Sequence, residues 1–317
     1  MAEIYALGEV LADVVVRPAE KLYMEGNAGG APANCLAAAA RLGADCAVIA
    51  KVGSDAAGSW LAGVLAENGI DTTYLLRSTL PTTLAMVSLD AHGERSFSFY
   101  RHGCADTSLC EADVPYAQIA GAKIFHFGSV SMTEEPSRSA TLAAARFAKE
   151  HGALVSFDPN LRPSLWESPE DAARCIREGI ALADFIKVSD DELLFLTGTA
   201  DPVAGAAQLL NGKAKLLAVT YGAAGCHVFW NGLHVQHGGF CVRAVDTTGS
   251  GDAFDGAMLW QLLQQRCDLF ALTEETLRTM AAFANAAGAL TATRRGAIAV
   301  MPTHTEIEAL RAAQTEH

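Results

Sequence analysis

Residues 245–254 read VDTTGSGDAF, and this stretch decides how the fold of the chain is interpreted. A predicted strand at residues 241–245 runs into it, and the helical pattern of residues 251–263 follows it. The glycines of the stretch let backbone N–H groups approach an anion without obstruction by a side chain. The helix N-terminus adds unpaired N–H donors and the positive end of the helix dipole. The stretch therefore predicts a strand, a turn and a helix that together hold a phosphate group.

Asp252 lies in the first turn of this helix. An acidic residue at such a position commonly caps the helix. An acid beside an anion site also repels the anion, unless the acid is needed to accept a proton, as the base of a kinase does. The chain has no Walker A loop, no protein-kinase motif and no dinucleotide-binding fingerprint. Capping and proton acceptance are therefore the two roles open to Asp252.

Apolar runs of strand length alternate with helical patterns through the rest of the chain. Predicted core strands lie at residues 4–7, 47–52, 123–127, 153–157, 185–188 and 216–220. Predicted helices lie at residues 33–42, 136–151, 170–183, 190–196, 251–263, 274–292 and 305–313. Continuous apolar strands separated by helices predict an α/β fold, in which a mostly parallel sheet is covered on both faces.

Two segments of the N-terminal third alternate between apolar and polar residues, which is typical of strands with one exposed face. Residues 83–89 and 96–100 alternate around the sequence His92-Gly93-Glu94, which predicts a hairpin. We interpret these strands as a small β lid, with contributions from about residues 11–26 and 82–104, on a single domain of residues 1–317.

Composition excludes several classes of protein. Half of the residues are hydrophobic and 19% are charged, which excludes a disordered chain. The net charge of −13 disfavours nucleic acid and acidic membranes as partners. No apolar run approaches the ~18 residues that span a bilayer, and the N-terminus does not resemble a secretory signal. The eight cysteines form no C-x-x-C pair, so we expect reduced thiols in a cytoplasmic protein.

Three further segments could bind a ligand. Residues 27–34 read NAGGAPAN, which is either a tight turn before a helix or a backbone that approaches a polar ligand beside Asn34. Asp13 could bind sugar hydroxyls, or it could be a solvated turn residue. Residues 219–225 read VTYGAAG, so a strand ends in a glycine-rich turn at the edge where α/β sheets bind ligands.

Together these segments resemble the ribokinase family of carbohydrate kinases, also called the PfkB family. Residues 246–252 resemble its C-terminal signature and residues 29–34 its N-terminal G-G-A-P-A-N segment, and the resemblance runs almost from end to end. Residues 156–166, SFDPNLRPSLW, are similar to the fructokinase branch, which shares this segment with 2-keto-3-deoxygluconate kinases. The resemblance implies a three-layer αβα fold and ATP-dependent phosphorylation of a primary hydroxyl of a sugar, with a ketohexose such as fructose as the expected substrate.

The resemblance also implies roles for individual residues. Asp252 matches the catalytic base, and the amides of Gly249, Ser250 and Gly251 match the anion hole. The implied sugar contacts are Asp13, Gly30, Asn34, Phe99, Arg101 and Arg162. The implied ATP-binding residues are Lys187, Ser189, Glu192, Thr220, Gly222, Gly225 and Asn285, with Glu192 linked to Mg²⁺ through water. The implied monovalent-cation site, expected to take K⁺, comprises Asp246, Thr248, Thr291, Arg294 and Gly296, mostly through the backbone.

One motif departs from the family pattern. The N-x-x-E motif reads Ser189-Asp190-Asp191-Glu192, and a serine hydroxyl cannot reproduce the whole amide of asparagine. Three other functions stay open: a 2-keto-3-deoxygluconate kinase, a ribosyl nucleoside kinase, and a sugar-binding regulator with a kinase fold. An exposed edge strand needs covering, so we also expect a homodimer formed through the lid.

Overall fold

The computed structural model of the chain describes residues 1–17, 22–89, 95–211 and 215–314. The turn predicted at residues 92–94 lies outside these residues. In the described part, ten strands form one large sheet: β1 (Ile4–Leu7), β4 (Cys46–Gly53), β5 (Ile70–Asp71), β6 (Leu75–Ser78), β9 (Ile124–Gly128), β10 (Leu154–Asp158), β11 (Phe185–Ser189), β12 (Leu216–Thr220), β13 (Cys226–Trp230) and β14 (Leu233–His237). Four more strands form a small sheet: β2 (Leu11–Arg17), β3 (Tyr23–Gly29), β7 (Leu84–Leu89) and β8 (Arg95–Tyr100).

The large sheet has the order β14-β13-β12-β11-β10-β9-β1-β4-β5, and β6 pairs with β4. All its pairs from β5 and β6 to β12 are parallel, whereas β13 and β14 form an antiparallel edge. The helices are α1 (Ala31–Arg41), α2 (Ala56–Glu67), α3 (Tyr116–Ile119), α4 (Ser137–Glu150), α5 (Pro169–Leu182), α6 (Asp190–Thr197), α7 (Pro202–Leu210), α8 (Ser250–Gln264), α9 (Glu274–Ala292) and α10 (His304–Gln314).

Both faces of the large sheet are buried by helices. Successive side chains of a strand point to opposite faces, and in β1 Ile4 and Ala6 join one apolar core, whereas Tyr5 and Leu7 join the other. The first core contains side chains of α1, α2, α8 and α9, and the second contains side chains of α4, α5, α6 and α7. The predicted three-layer αβα architecture with a mostly parallel sheet is confirmed.

The strand predicted at residues 241–245 is wrong, because the structure forms no ladder there. The backbone of this segment bonds to helices instead of to a strand. The amides of Val245 and Asp246 donate to the carbonyl of Ala292 at the end of α9, and Cys241 exchanges hydrogen bonds with the side chain of Gln314 in α10. The polar groups of the segment are thereby satisfied without a neighbouring strand.

No single helix of the described residues is long and apolar enough to cross a membrane. Helices α6 and α7 meet the length and composition criteria only when they are joined across a bend of 61°.

Candidate active site

A cavity of about 290 Å³ lies at the carboxyl ends of the parallel strands, where the small sheet approaches the large one. Its walls come from the loops that follow β1, β9 and β10, and from the N-termini of α1 and α8. The residues predicted at the site that line this cavity are Asp13, Gly30, Asn34, Phe99, Arg162, Lys187, Thr248, Gly249, Gly251 and Asp252. The structure thus brings the implied base, most of the sugar contacts and the glycine-rich turn into one space.

Asp252 interacts with a side chain of another helix. Its Oδ2 accepts a hydrogen bond from Asn34 Nδ2 at 2.7 Å, which joins α8 to α1 across the cavity floor. Burial, followed by the negative charge of Asp158, raises the pKa of Asp252 to about 6. A carboxyl group with a pKa near the operating pH suits a general base.

The turn before α8 requires glycine at position 249. Gly249, which precedes the helix, has a φ of +77°, and a Cβ there would lie 2.7 Å from the Cβ of Ala297. A Cβ at Gly251 would lie 3.1 Å from Lys187 Nζ, so the Lys187 ammonium faces the start of the helix. Ser250 donates its amide to the carbonyl of Thr247 at 3.2 Å within the turn. An anion at this turn would meet first-turn amides, the helix dipole and one ammonium group.

Lys187 belongs to a buried ion pair. Its Nζ lies 2.9 Å from Asp158 Oδ2, and both side chains are almost completely buried. The negative charges of Asp158 and Glu192 outweigh the effect of burial on Lys187, so its pKa is raised and the group stays charged at neutral pH. Asp158 was not predicted as a functional residue, although it ends β10 within the fructokinase-like segment.

Ser189 and Glu192 form a capping box at the start of α6. Ser189 Oγ accepts from the amide of Glu192 at 3.2 Å, and Glu192 Oε2 accepts from the amide of Ser189 at 2.8 Å. Glu192 Oε1 accepts from the amide of Leu161 at 2.7 Å. Ser189 therefore caps α6, a role that asparagine fills equally well, so the capping box does not by itself explain the serine.

Glu9 is a cavity residue to which the sequence analysis gave no role. Its Oε1 accepts a hydrogen bond from the amide of Ala31 at 3.0 Å, at the start of α1. Its Oε2 is buried and has no hydrogen-bond partner among the described residues. Burial raises the pKa of Glu9 to about 7. The sequence feature that could have marked Glu9 as a site residue is its position in Gly8-Glu9, just after the end of β1.

Arg101 does not line the cavity. The side chain is buried, and Nε lies 2.6 Å from Asp106 Oδ2, while Nη1 donates to Thr133 Oγ1 and Nη2 to the carbonyl of Val130. Thr83 Oγ1 also donates to Asp106, at 2.5 Å. The pair therefore joins the residues just before β7 and just after β8 to the body of the protein.

Four of the residues predicted to bind ATP, Thr220, Gly222, Gly225 and Asn285, lie near β12, β13 and β14. Thr220 ends β12, and Gly222 and Gly225 form the turn that leads to β13. Asn285 Nδ2 lies 3.0 Å from His237 Nδ1, so α9 is tied to the end of β14. A second cavity, of about 370 Å³, is lined by His237, Gly238, Gly239, Phe240, Ala282, Arg311 and Gln314.

The residues predicted to hold a monovalent cation divide into two groups. Asp246, Thr248 and Gly296 line a third cavity of about 40 Å³, where Asp246 accepts from the amides of Thr248 at 2.8 Å and Gly296 at 3.3 Å. The hydroxyl of Thr291 donates to the carbonyl of Ala287 within α9, and the Arg294 guanidinium pairs with Glu306. Their side chains are thus engaged elsewhere.

Comparisons with known proteins agree with this arrangement. Residues 1–304 match the model of the family described as pfkB family carbohydrate kinase. Probable fructokinase-2 of Arabidopsis thaliana is 43% identical over 311 residues, which are 96% of this chain and 94% of that protein.

Solved structures agree as well. Fructokinase of Xylella fastidiosa with bound ATP has a TM-score of 0.91 and 38% identity, over 99% of this chain and 100% of that one. Fructokinase of Vibrio cholerae O395 with fructose, ADP and calcium ion has a TM-score of 0.85 and 33% identity, over 98% and 99% of the two chains. The resemblance inferred from residues 29–34 and 246–252 is confirmed. The chain belongs to the pfkB family of carbohydrate kinases.

Proposed function

We propose that this chain is a fructokinase, which transfers the γ-phosphoryl group of ATP to a terminal hydroxyl of D-fructose. The observation that carries the proposal is the position of Asp252 in the cavity, at the start of α8 and 2.7 Å from Asn34 Nδ2. A sugar hydroxyl is a weak nucleophile that must lose its proton as the new P–O bond forms. Asp252 is the carboxylate that stands beside the predicted phosphate site, so it accepts that proton.

The remaining groups of the cavity stabilise charge and exclude water. The first-turn amides of α8 and the ammonium of Lys187 stabilise the charge that develops on the phosphoryl oxygens. Asp13, Gly30 and Asn34 contact the sugar, and Phe99 covers it from the small sheet. We propose that the small sheet acts as a lid, because closure over the sugar would keep water from the transferred group.

The charges of the cavity favour a neutral sugar over the rival substrate, 2-keto-3-deoxygluconate. That substrate carries a carboxylate, which needs a cationic partner. Arg101, the first candidate for this partner, is already paired with Asp106 away from the cavity, which leaves Arg162 as the guanidinium among the lining residues. The same cavity is lined by three acids, Glu9, Asp13 and Asp252, which would repel the carboxylate of that substrate.

We propose that ATP spans the two larger cavities, with its phosphates at the start of α8. The cavity of about 370 Å³ has room for the nucleobase, beside the turn that Asn285 holds against His237. Magnesium would supply charge neutralisation of the phosphates. Glu192 and Asp158 are buried carboxylates that would hold the ion through water.

We also propose a potassium site at Asp246. Thr248 and Gly296 line the cavity of about 40 Å³ with Asp246, and carboxylate and carbonyl oxygens suit such a cation. A cation there would stiffen the turn that precedes α8. Replacing potassium by tetramethylammonium at constant ionic strength should lower the rate, and an unchanged rate would contradict the site.

A homodimer through the small sheet completes the proposal. Leu22, which precedes β3, and Tyr23 and Met24, which begin it, are all more than half exposed, and so is Tyr100 at the end of β8 on the opposite edge of the sheet. Such exposure is unusual for large apolar side chains. A second copy of the sheet could cover them. Because ATP is the phosphoryl donor and the eight cysteines are free thiols, we propose a cytoplasmic location.

The test of the function is a coupled assay of ADP release against a panel of sugars. Fructose should give a higher kcat/KM than 2-keto-3-deoxygluconate, ribose or a ribosyl nucleoside. A comparable or higher kcat/KM for 2-keto-3-deoxygluconate would contradict fructose as the substrate but would still support a sugar kinase. Saturable binding of a sugar without any ADP release would instead support a sugar-binding regulator.

A further inference from the structure

Three side chains with metal-binding donor atoms meet in the core below the active site. They are Cys35 of α1, His126 of β9 and Asp255 of α8, and one donor atom from each lies within 4.8 Å of the others. We call these residues the core cluster, and each has only 1% of its surface exposed. We propose that the core cluster binds one divalent metal ion of the zinc class.

Asp255 is the first reason for this proposal. Neither of its carboxylate oxygens has a hydrogen-bond partner among the described residues. The Nδ1 of His126 is 3.8 Å from Asp255 Oδ2, too far for a hydrogen bond, and lies 3.0 Å from Ser156 Oγ instead. A buried carboxylate without a partner is strongly unfavourable. Asp255 therefore needs either a proton or a cation.

The surroundings favour a cation. Within the described part of the chain, the charges that act on Asp255 are the carboxylates of Asp158 and Asp252 and the ammonium of Lys187, so carboxylates are in excess. That ammonium is already bound to Asp158 at 2.9 Å. A proton would neutralise Asp255 alone. A divalent ion would use all three donors and reduce the local excess of negative charge.

The donors select the class of metal. Thiolate and imidazole are ligands of zinc and of its substitute cobalt, whereas magnesium and potassium prefer oxygen alone. Donor atoms at the corners of a triangle with edges of 4.8 Å lie at most about 2.8 Å from its centre, so shifts of about 0.5–0.8 Å reach zinc bond lengths. The spacing of residues 35, 126 and 255 matches no sequence motif for zinc, so only the fold reveals the cluster.

A metal ion at this place would support the active site without taking part in phosphoryl transfer. Cys35 follows Asn34 on α1, and Asp255 lies one turn after Asp252 on α8. The ion would therefore hold the two helices together directly beneath the 2.7 Å contact between Asn34 and Asp252. It would act as a structural metal, and its binding does not depend on which sugar the enzyme uses.

The experiment uses Co²⁺ as the probe, because a cobalt–thiolate bond adds an absorption band in the near ultraviolet. The full chain is produced in medium that contains Co²⁺ in place of Zn²⁺, and loosely held metal is removed with a chelator. The parent carries Cys241→Ser and His227→Ala, which remove an exposed thiol and one member of the exposed His227–His234 pair. We expect about one cobalt ion per chain, with the thiolate band present.

Variants then locate the ion. Cys35→Ser should abolish the thiolate band, and Asp255→Asn should lower the cobalt content at least tenfold after the chelator step. Cys46→Ser is the matched control, because Cys46 is also a buried thiol but lies outside the core cluster, so the band should persist. A parent protein without cobalt or thiolate band would overturn the proposal and leave Asp255 a protonated acid. The same band in Cys35→Ser would overturn it too. A parent spectrum without the band overturns the proposal even if a variant does not fold.

Discussion

At the scale of single residues, the two roles open to Asp252 lead to opposite results for one substitution. Asparagine has nearly the same shape and keeps an oxygen that can accept from Asn34, but it cannot accept a proton. We expect Asp252→Asn to lower kcat by about 10²–10⁴, the usual contribution of a positioned general base. The melting temperature should change little, because asparagine and aspartate are similarly good near a helix N-terminus.

The measurement is kcat, KM for both substrates and the melting temperature of this variant. Glu275→Gln is the matched control, since Glu275 is an acid in the first turn of another helix, α9. It should leave kcat unchanged. If kcat of Asp252→Asn stays within about threefold of the parent, far below a general-base effect, the catalytic role is excluded.

The pH dependence of the reaction is a second expectation for Asp252. Because its pKa is raised to about 6, half of the enzyme carries a protonated, inactive base near that pH. We expect kcat/KM for fructose to fall as the pH is lowered through about 6 and to reach a plateau above it. Circular dichroism across the same range separates this effect from unfolding. A profile that stays flat down to about pH 5 would contradict the assignment of the base.

Glu9 is expected to determine sugar binding. Glutamine can keep the bond to the amide of Ala31 through its oxygen, but it places an NH₂ donor where the unpartnered Oε2 stands. If that oxygen accepts a sugar hydroxyl, Glu9→Gln should lower kcat/KM for fructose by about 10–100-fold, as for the loss of a hydrogen bond to a charged group. KM for ATP and the melting temperature should stay near the parent values. An unchanged kcat/KM for fructose would limit Glu9 to capping α1.

At the scale of secondary-structure elements, Arg101 connects the small sheet to the body of the protein. Its pair with Asp106 is almost completely buried, so Arg101→Ala would leave an uncompensated carboxylate. We expect a loss of about 3–5 kcal/mol in the free energy of unfolding, measured with urea. Arg278→Ala is the control, because its pair with Glu274 is exposed and should contribute less than about 1 kcal/mol.

A double variant separates the buried charge from the loss of packing. Arg101→Met combined with Asp106→Leu removes both charges, so it should be more stable than Arg101→Ala. Equal instability of the two proteins would mean that the anchoring depends on the bonds of Arg101 to Thr133 and Val130 rather than on the ion pair. A lower kcat/KM in Arg101→Ala without loss of stability would restore the residue to the sugar site.

At the scale of the whole molecule, the exposed apolar side chains of the small sheet predict self-association. We expect light scattering after gel filtration to give the mass of a dimer. Tyr23→Lys combined with Met24→Glu should give a monomer, because charges on an apolar contact are costly to bury. Phe270→Lys is the control, since Phe270 is 80% exposed but lies outside the small sheet. A parent that is already monomeric would contradict the dimer.

The sequence by itself determined the layers of the fold and the main chemical group of the site. Strand and helix periods predicted the parallel sheet, and residues 246–252 predicted a glycine turn before a helix with Asp252 in its first turn. These features are local, because they depend on periodicity and on the backbone freedom of glycine. The antiparallel edge of β13 and β14 was missed, although Asn231-Gly232 supplied a hairpin signal between the two strands.

Only the tertiary structure decided which distant residues share a space and which charges are already paired. The family resemblance implies that Arg101 contacts the sugar, and folding pairs its guanidinium with Asp106 and with the carbonyl of Val130. Glu9 received no role from the sequence, but folding places it in the wall of the cavity with an oxygen that has no hydrogen-bond partner in the described part of the chain. The strand expected at residues 241–245 does not form, because α9 and α10 provide the hydrogen-bond partners of its backbone. The reason is the same in each case: burial and charge pairing depend on neighbours from remote parts of the chain, which local patterns do not encode.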